Sequence, residues 1–125
     1  MSLMRTISKY AIAAAAIALA GFSIAPAAAD TVPQPKPFTK GDVGLQMFGW
    51  NWNSIAKECT TVLGPAGIDW IQTMPPQDHI TGSAWWVHYQ PTSYSLNSYM
   101  GNRAQFANMV STCNKAGVNV VTDAV

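Results

Sequence analysis

The stretch AWWVHYQPTSY, Ala84 to Tyr94, gathers Trp85, Trp86, His88, Tyr89, Gln90 and Tyr94 between turn-forming residues rather than along a regular helix or strand. Flat, rigid rings cover the apolar C–H faces of a pyranose, and amide, imidazole and phenol groups hydrogen-bond its hydroxyls. Recognition that is apolar and polar at once needs these residue types together. The plainer alternative is that one tryptophan is core and the other merely covers it, but so much aromatic area in a connection points to a binding loop. Two carboxylates, Asp78 and Asp123, and two imidazoles, His79 and His88, flank or enter the same region. The histidines lack a third ligand at metal spacing, so they read as sugar-contacting or turn residues rather than zinc ligands. A lone aspartate at a strand end is more often a hydrogen-bonding brace than a nucleophile.

Composition narrows the partner. The formal net charge is +1, and no lysine or arginine lies between Ala66 and Asn102. Single-stranded nucleic acid also favours aromatic platforms but needs a basic groove for its phosphates, so nucleic acid is excluded and a neutral ligand fits. Residues 1–29 read as a secretory signal: Arg5 and Lys9 form a basic start, Tyr10 to Ile24 is apolar and alanine-rich, and Ala27-Ala28-Ala29 precedes Asp30. A membrane anchor is the competing reading, weakened by the alanine content and by Pro26. The expectation is a secreted, extracellular protein with no membrane attachment after cleavage. Two cysteines in an exported chain usually pair, so Cys59 and Cys113 form the expected bridge, with two free buried thiols as the alternative.

These groups must be held by the elements around them. Residues 30–42, with Pro33, Pro35 and Pro37, read as an extended arm. Val43, Leu45 and Met47 alternate with Gly44, Gln46 and Phe48 as in a first strand. Asn53-Ser54 then offers an N-cap ahead of Ile55, Cys59, Val62 and Leu63 at helical spacing, with Gly64-Pro65 as the stop. Ile68 to Met74 is a second strand ended by Pro75-Pro76. Asn102, with Gln105 three residues on, starts a second helix whose Phe106, Met109, Val110 and Cys113 share a face, and Gly117 closes it. Val118 to Ala124 is a third strand.

Strand, helix, strand, helix, strand predicts parallel pairing. A dinucleotide-binding sheet needs a G-x-G-x-x-G turn after its first strand, and here that turn reads Gly49-Trp50-Asn51-Trp52-Asn53. A (β/α)₈ TIM barrel places function on the loops after its strands, and the long aromatic connection from Pro75 to Gly101 follows the second strand. A complete barrel takes about 250 residues, so residues 43–125 predict an incomplete one: three parallel strands and two helices, βαβαβ, the N-terminal part of a catalytic domain.

Several pieces, in order, carry a family resemblance: QMFGWNW, IAKEC, LGPAGIDWIQTMPPQDH, AWWVHYQPTSY, FANMVSTCNKAGV and VVTDAV. From Leu45 to Val125 the chain resembles the N-terminal part of secreted α-amylases, of the large α-amylase family of glycoside hydrolases. The resemblance implies endo-hydrolysis of α-1,4-glucosidic bonds in starch or glycogen, with retention, by a monomer. It also implies that Tyr89 stacks on the sugar at the cleavage subsite, that Gln90 binds a neighbouring hydroxyl, that Trp85 and Trp86 line the non-reducing-side subsites, and that Asp123 braces the base of the site. Cys59 and Cys113 match cysteines that bridge the first two helices in many members. Relatives often carry an acidic or amide side chain in place of Gly49. The third strand of the family normally runs on into an Asn-His pair, beyond Val125. By the same resemblance the catalytic carboxylates come from later strands, so neither Asp78 nor Asp123 is catalytic and this segment by itself is expected to be inactive. Calcium is the expected ion of a full-length member, without a complete metal site here. The alternative in a different class is a secreted, non-catalytic carbohydrate-binding protein or an inactive truncated product.

Overall fold

A computed structural model describes residues 33–125. The expected signal, residues 1–29, and the start of the arm, residues 30–32, lie outside the described residues. Three short strands, β1 (Gly44–Met47), β2 (Trp70–Thr73) and β3 (Asn119–Thr122), form one parallel sheet in the order β1-β2-β3. The expected βαβαβ alternation is present. The registers Leu45↔Ile71↔Val120 and Gln46↔Gln72↔Val121 define the two faces, because side chains alternate along a strand.

The face with Met47, Ile71 and Val120 meets helices α1 (Trp52–Glu58) and α2 (Arg103–Lys115). Trp52, Ile55, Met109 and Val118 are wholly buried there, and the ring of Trp52 meets Phe106 edge-on at 5.1 Å. Cys59 and Cys113 are joined in a disulfide with Cα atoms 5.0 Å apart, at the seam of the helical layer. Closing a loop across 54 residues of sequence contributes about 4 kcal/mol in the chain-entropy account.

Helix α1 starts earlier than Asn53-Ser54 would have it. Asn51 is the cap, its side-chain oxygen accepting from the Ser54 amide at 2.8 Å. The earlier start swings Trp52 into the core, a larger apolar gain than a start two residues later would give. Beyond Glu58 the backbone widens into a π-helical turn, Cys59–Leu63. Bonds spanning five residues break the 3.6 period, so Val62 stands 47% exposed while Leu63 is buried, against the expected stripe. Gly64 does not end the helix by a left-handed turn, since its φ is −61°. It is small because a Cβ there would stand 2.7 Å from the Ala116 carbonyl oxygen, at the end of α2. The expected cap of α2 is present in full: Asn102 accepts from the Gln105 amide at 3.0 Å and the Gln105 side chain accepts from the Asn102 amide at 2.9 Å.

The opposite face of the sheet carries Trp70, Gln72, Asn119 and Val121. At its N-terminal end the arm lies across it. Lys36 donates its amide to Asn119 Oδ1 and accepts from Asn119 Nδ2, both at 2.8 Å, and Phe38 stands edge-on to Trp70 at 6.4 Å. Among the described residues no helix is long and apolar enough to cross a membrane.

Candidate functional site

At the C-terminal end of that second face, the chain leaves β2 at Met74 and reaches α2 only at Asn102. The intervening connection is organised rather than loose. The Asp78 amide donates to the Ser95 carbonyl at 2.7 Å, Thr92 to the Asp78 carbonyl at 2.9 Å, and Ile80 to the Gln90 carbonyl at 3.1 Å. Asp78 itself accepts from the Thr92 and Ser93 hydroxyls at 3.0 and 3.3 Å. The aromatic stretch thus becomes the outer limb of a folded-back loop. It is not irregular, as the sequence suggested: Trp85–Tyr89 forms a short 3₁₀ turn, a conformation the tight i→i+3 bonding permits over a few residues between such anchors.

Within that turn Val87 points into the protein, and Trp85 and Trp86 stand 59% and 55% exposed. Their rings are nearly perpendicular, 6.0 Å apart, and Trp85 also meets Tyr89 edge-on at 6.2 Å. Phe48, just past β1, supports Trp85 from the other side at 5.7 Å. The half-buried Tyr89 donates its hydroxyl to Asp123 Oδ2 at 3.2 Å, and Asp123 Oδ1 accepts from the Gln72 amide. Gln90 is exposed at the end of the turn.

Trp85, Trp86, Tyr89 and Asp123 are therefore brought together, with Gln90 at their margin. Asp78 is drawn away to the hydroxyls of its own loop. Burial raises the pKa of the Tyr89 phenol, and the Asp123 carboxylate beside it acts in the same direction. The phenol stays neutral and keeps its proton in the bond to Asp123. Sequence reasoning missed Phe48 and Gln72. Gln72 did leave a signal, a polar residue in the middle of the apolar run Ile68 to Met74. Phe48 left none, because its position beside the turn depends on how β1 and the loop meet.

Two exposed indoles at right angles, a phenol held by a carboxylate and an amide nearby can grip a neutral, hydroxyl-rich ring without supplying a nucleophile and acid in tandem. No family model matches the chain. It is 45% identical over 112 residues to an α-amylase of Streptomyces violaceus, covering 90% of this chain and 20% of that protein. An α-amylase of Thermomonospora curvata is 47% identical over 94 residues, covering 71% and 16%. The crystal structure of α-amylase I from Eisenia fetida superposes with a TM-score of 0.65 at 40% identity, over 67% of this chain and 18% of that one. The chain is a relative of the α-amylases. It spans about a fifth of the length of the curated α-amylases it matches, or less. A variant of the Eisenia α-amylase has been solved as a maltohexaose complex.

The backbone at Gly49 is left-handed, φ 73°, a region where asparagine and aspartate are the side chains tolerated best after glycine. A Cβ there would meet nothing within 4 Å.

Proposed function

We propose that this chain is the opening part of an α-amylase (β/α)₈ barrel domain and provides the non-reducing-side subsites for an α-glucan. The observation that carries the reading is the open aromatic turn, with Trp85 and Trp86 exposed and the Tyr89 hydroxyl tied to Asp123 beyond β3. The sheet order supports the barrel, because β1, β2 and β3 are neighbours in sequence order and the candidate site lies where the strands end. In this reading Tyr89 stacks on the sugar nearest the cleavage point, the two tryptophans and Gln90 hold the units beyond it, and Asp123 keeps the phenol in place.

Endo-hydrolysis of α-1,4 bonds with retention needs a carboxylate nucleophile and a carboxylic acid about 5 to 5.5 Å apart. Asp123 is occupied by Tyr89 and Gln72, and Asp78 by Thr92 and Ser93. Both carboxylates brace the loop in this reading, which assigns the chemical step to carboxylates other than these two and has the 125-residue chain bind without cleaving. Calcium takes about six to eight oxygen ligands. Among the described residues no group of three or more His, Cys, Asp and Glu could hold a metal ion, so in this reading the calcium expected of a full-length member draws on ligands beyond these side chains and no step here runs through it. Export and a monomeric state complete the proposal.

Calorimetric titration with maltohexaose tests it. The chain should bind, and Trp86→Ala should lose about tenfold in affinity, the worth of one good aromatic contact at roughly 1.4 kcal/mol. Absence of binding by the folded chain overturns the glucan site. Release of reducing ends from starch by the purified 125-residue chain overturns its assignment as a purely binding segment.

A further inference from the structure

Two imidazoles, His88 within the aromatic turn and His79 behind it, read from the sequence as sugar-contacting or turn residues and are here bonded to one another. His79 is buried, 8% exposed, on the inner limb of the loop, where it bridges Pro91. Its Nδ1 is 2.8 Å from the Ile80 carbonyl oxygen, and its Nε2 is 3.1 Å from Nδ1 of His88. The two rings meet edge-on at 4.5 Å, and Tyr99 closes the cluster at 4.9 Å from His79 and 5.7 Å from His88. His88 sits in the 3₁₀ turn between Trp86 and Tyr89.

The protons follow from what each partner can do. A carbonyl oxygen only accepts, so His79 Nδ1 carries the hydrogen. Neutral His79 then has a lone pair on Nε2, and His88 Nδ1 must donate to it. Both imidazoles are fixed as Nδ1–H tautomers, and the bonds run one way, from His88 to His79 to the Ile80 carbonyl. One added proton, on His88 Nε2, leaves this chain intact. A second, on His79 Nε2, sets N–H against N–H and one imidazolium against another, and the link is lost.

We propose that His79 and His88 are positioning residues for the glucan-binding turn: a directed imidazole pair that holds Trp85, Trp86 and Tyr89 in place and lets go when both rings are protonated. The purpose of the turn rests on the glucan reading, but the pair and its release do not. Burial, and after it the nearby His79, lowers the pKa of His88, which favours the neutral form of that ring. The other titratable groups around the pair are Tyr99, whose hydroxyl bonds to Gly82, Asp78, turned to Thr92 and Ser93, and Asp123, reached only through Tyr89. Arg103 opens α2 one residue past Asn102, which with Asp78, His79 and Tyr99 lines a cavity of about 390 Å³.

Ring-nitrogen NMR of the folded chain at neutral pH should show both histidines protonated on Nδ1 and bare on Nε2. An Nε2–H tautomer at either residue overturns the proposal. On acidification the tryptophan emission should shift in a transition that His79→Gln removes, because glutamine keeps an acceptor oxygen at the ε position yet takes no proton. His79→Phe, which keeps a ring but no acceptor, should bind maltohexaose about fivefold more weakly than the unaltered chain at neutral pH, the worth of one hydrogen bond of roughly 1 kcal/mol, and the gap should close in acid, where the unaltered chain loses the same bond. His79→Gln should bind like the unaltered chain at neutral pH and keep its affinity in acid. An acid transition equal in the unaltered chain and His79→Gln overturns the proposal. Failure of the glucan reading looks different: maltohexaose then moves no tryptophan signal at any pH, while the tautomers and the acid transition persist.

Discussion

At the site, the distinction that matters is between side chains that face solvent and those that hold them. Trp86 is over half exposed, so its removal should leave the unfolding free energy within about 0.5 kcal/mol of the original while weakening glucan binding. Tyr89 is the opposite case, since its hydroxyl is committed to Asp123. Its pKa is raised above 10.0 by burial and then by Asp123, so the folded state retains the phenolic proton to higher pH than the unfolded chain does. Such a group loses its stabilising contribution as pH rises through the alkaline range above about 10 and costs nothing at neutral pH. Tyrosine absorbance titration should find the Tyr89 phenol ionising late. Asp123→Asn should bring it down, and Tyr89→Phe should abolish it.

Elements bring separate consequences. The capping box of α2 satisfies an amide at each end of the Asn102–Gln105 exchange, so Asn102→Ala should lower stability by about 1 kcal/mol in urea unfolding. The disulfide joins the π-helical turn after α1 to the last turns of α2, both cysteines being wholly buried. Replacing both by alanine should cost about 2 to 5 kcal/mol, read from the same denaturation curves. The widened turn explains why a helical period counted through Val62 fails. Periodicity reports a face only while the hydrogen bonding stays regular, and nothing in Cys59–Leu63 as letters announces a bond spanning five residues.

Across the molecule, one face of the sheet is filled by helices, and the other is occupied at opposite ends by different parts of the chain. The arm covers its N-terminal end through Asn119, which is 3% exposed and makes both bonds to the Lys36 backbone. Asn119→Ala would strand those backbone groups, so limited proteolysis should cut near Lys36 or Lys40 faster than in the unaltered chain, with about 1 to 3 kcal/mol lost in stability. The exposed Lys36–Asp69 pair at 3.4 Å adds little by comparison. At the C-terminal end the same face carries Gln72 and Asp123, so the sheet that the arm seals at one end anchors the aromatic turn at the other.

Local signals alone determined much of this protein. The alternation of strands and helices, the Asn102 cap and the aromatic loop were legible because each rests on residues adjacent in sequence, and the motif order gave the α-amylase relationship. The pairing of Cys59 with Cys113 followed from there being two cysteines in a chain read as exported. What only tertiary structure decided rests on contacts between distant residues. Asn51 rather than Asn53 caps α1 because burying Trp52 outweighs a local preference. Gly64 is small because the end of α2 comes against it. Asp123 becomes a brace because Gln72, 51 positions earlier, and Tyr89, 34 earlier, converge on its two oxygens. The direction of the His79–His88 pair depends on a single carbonyl oxygen, and no sequence pattern records where a carbonyl points.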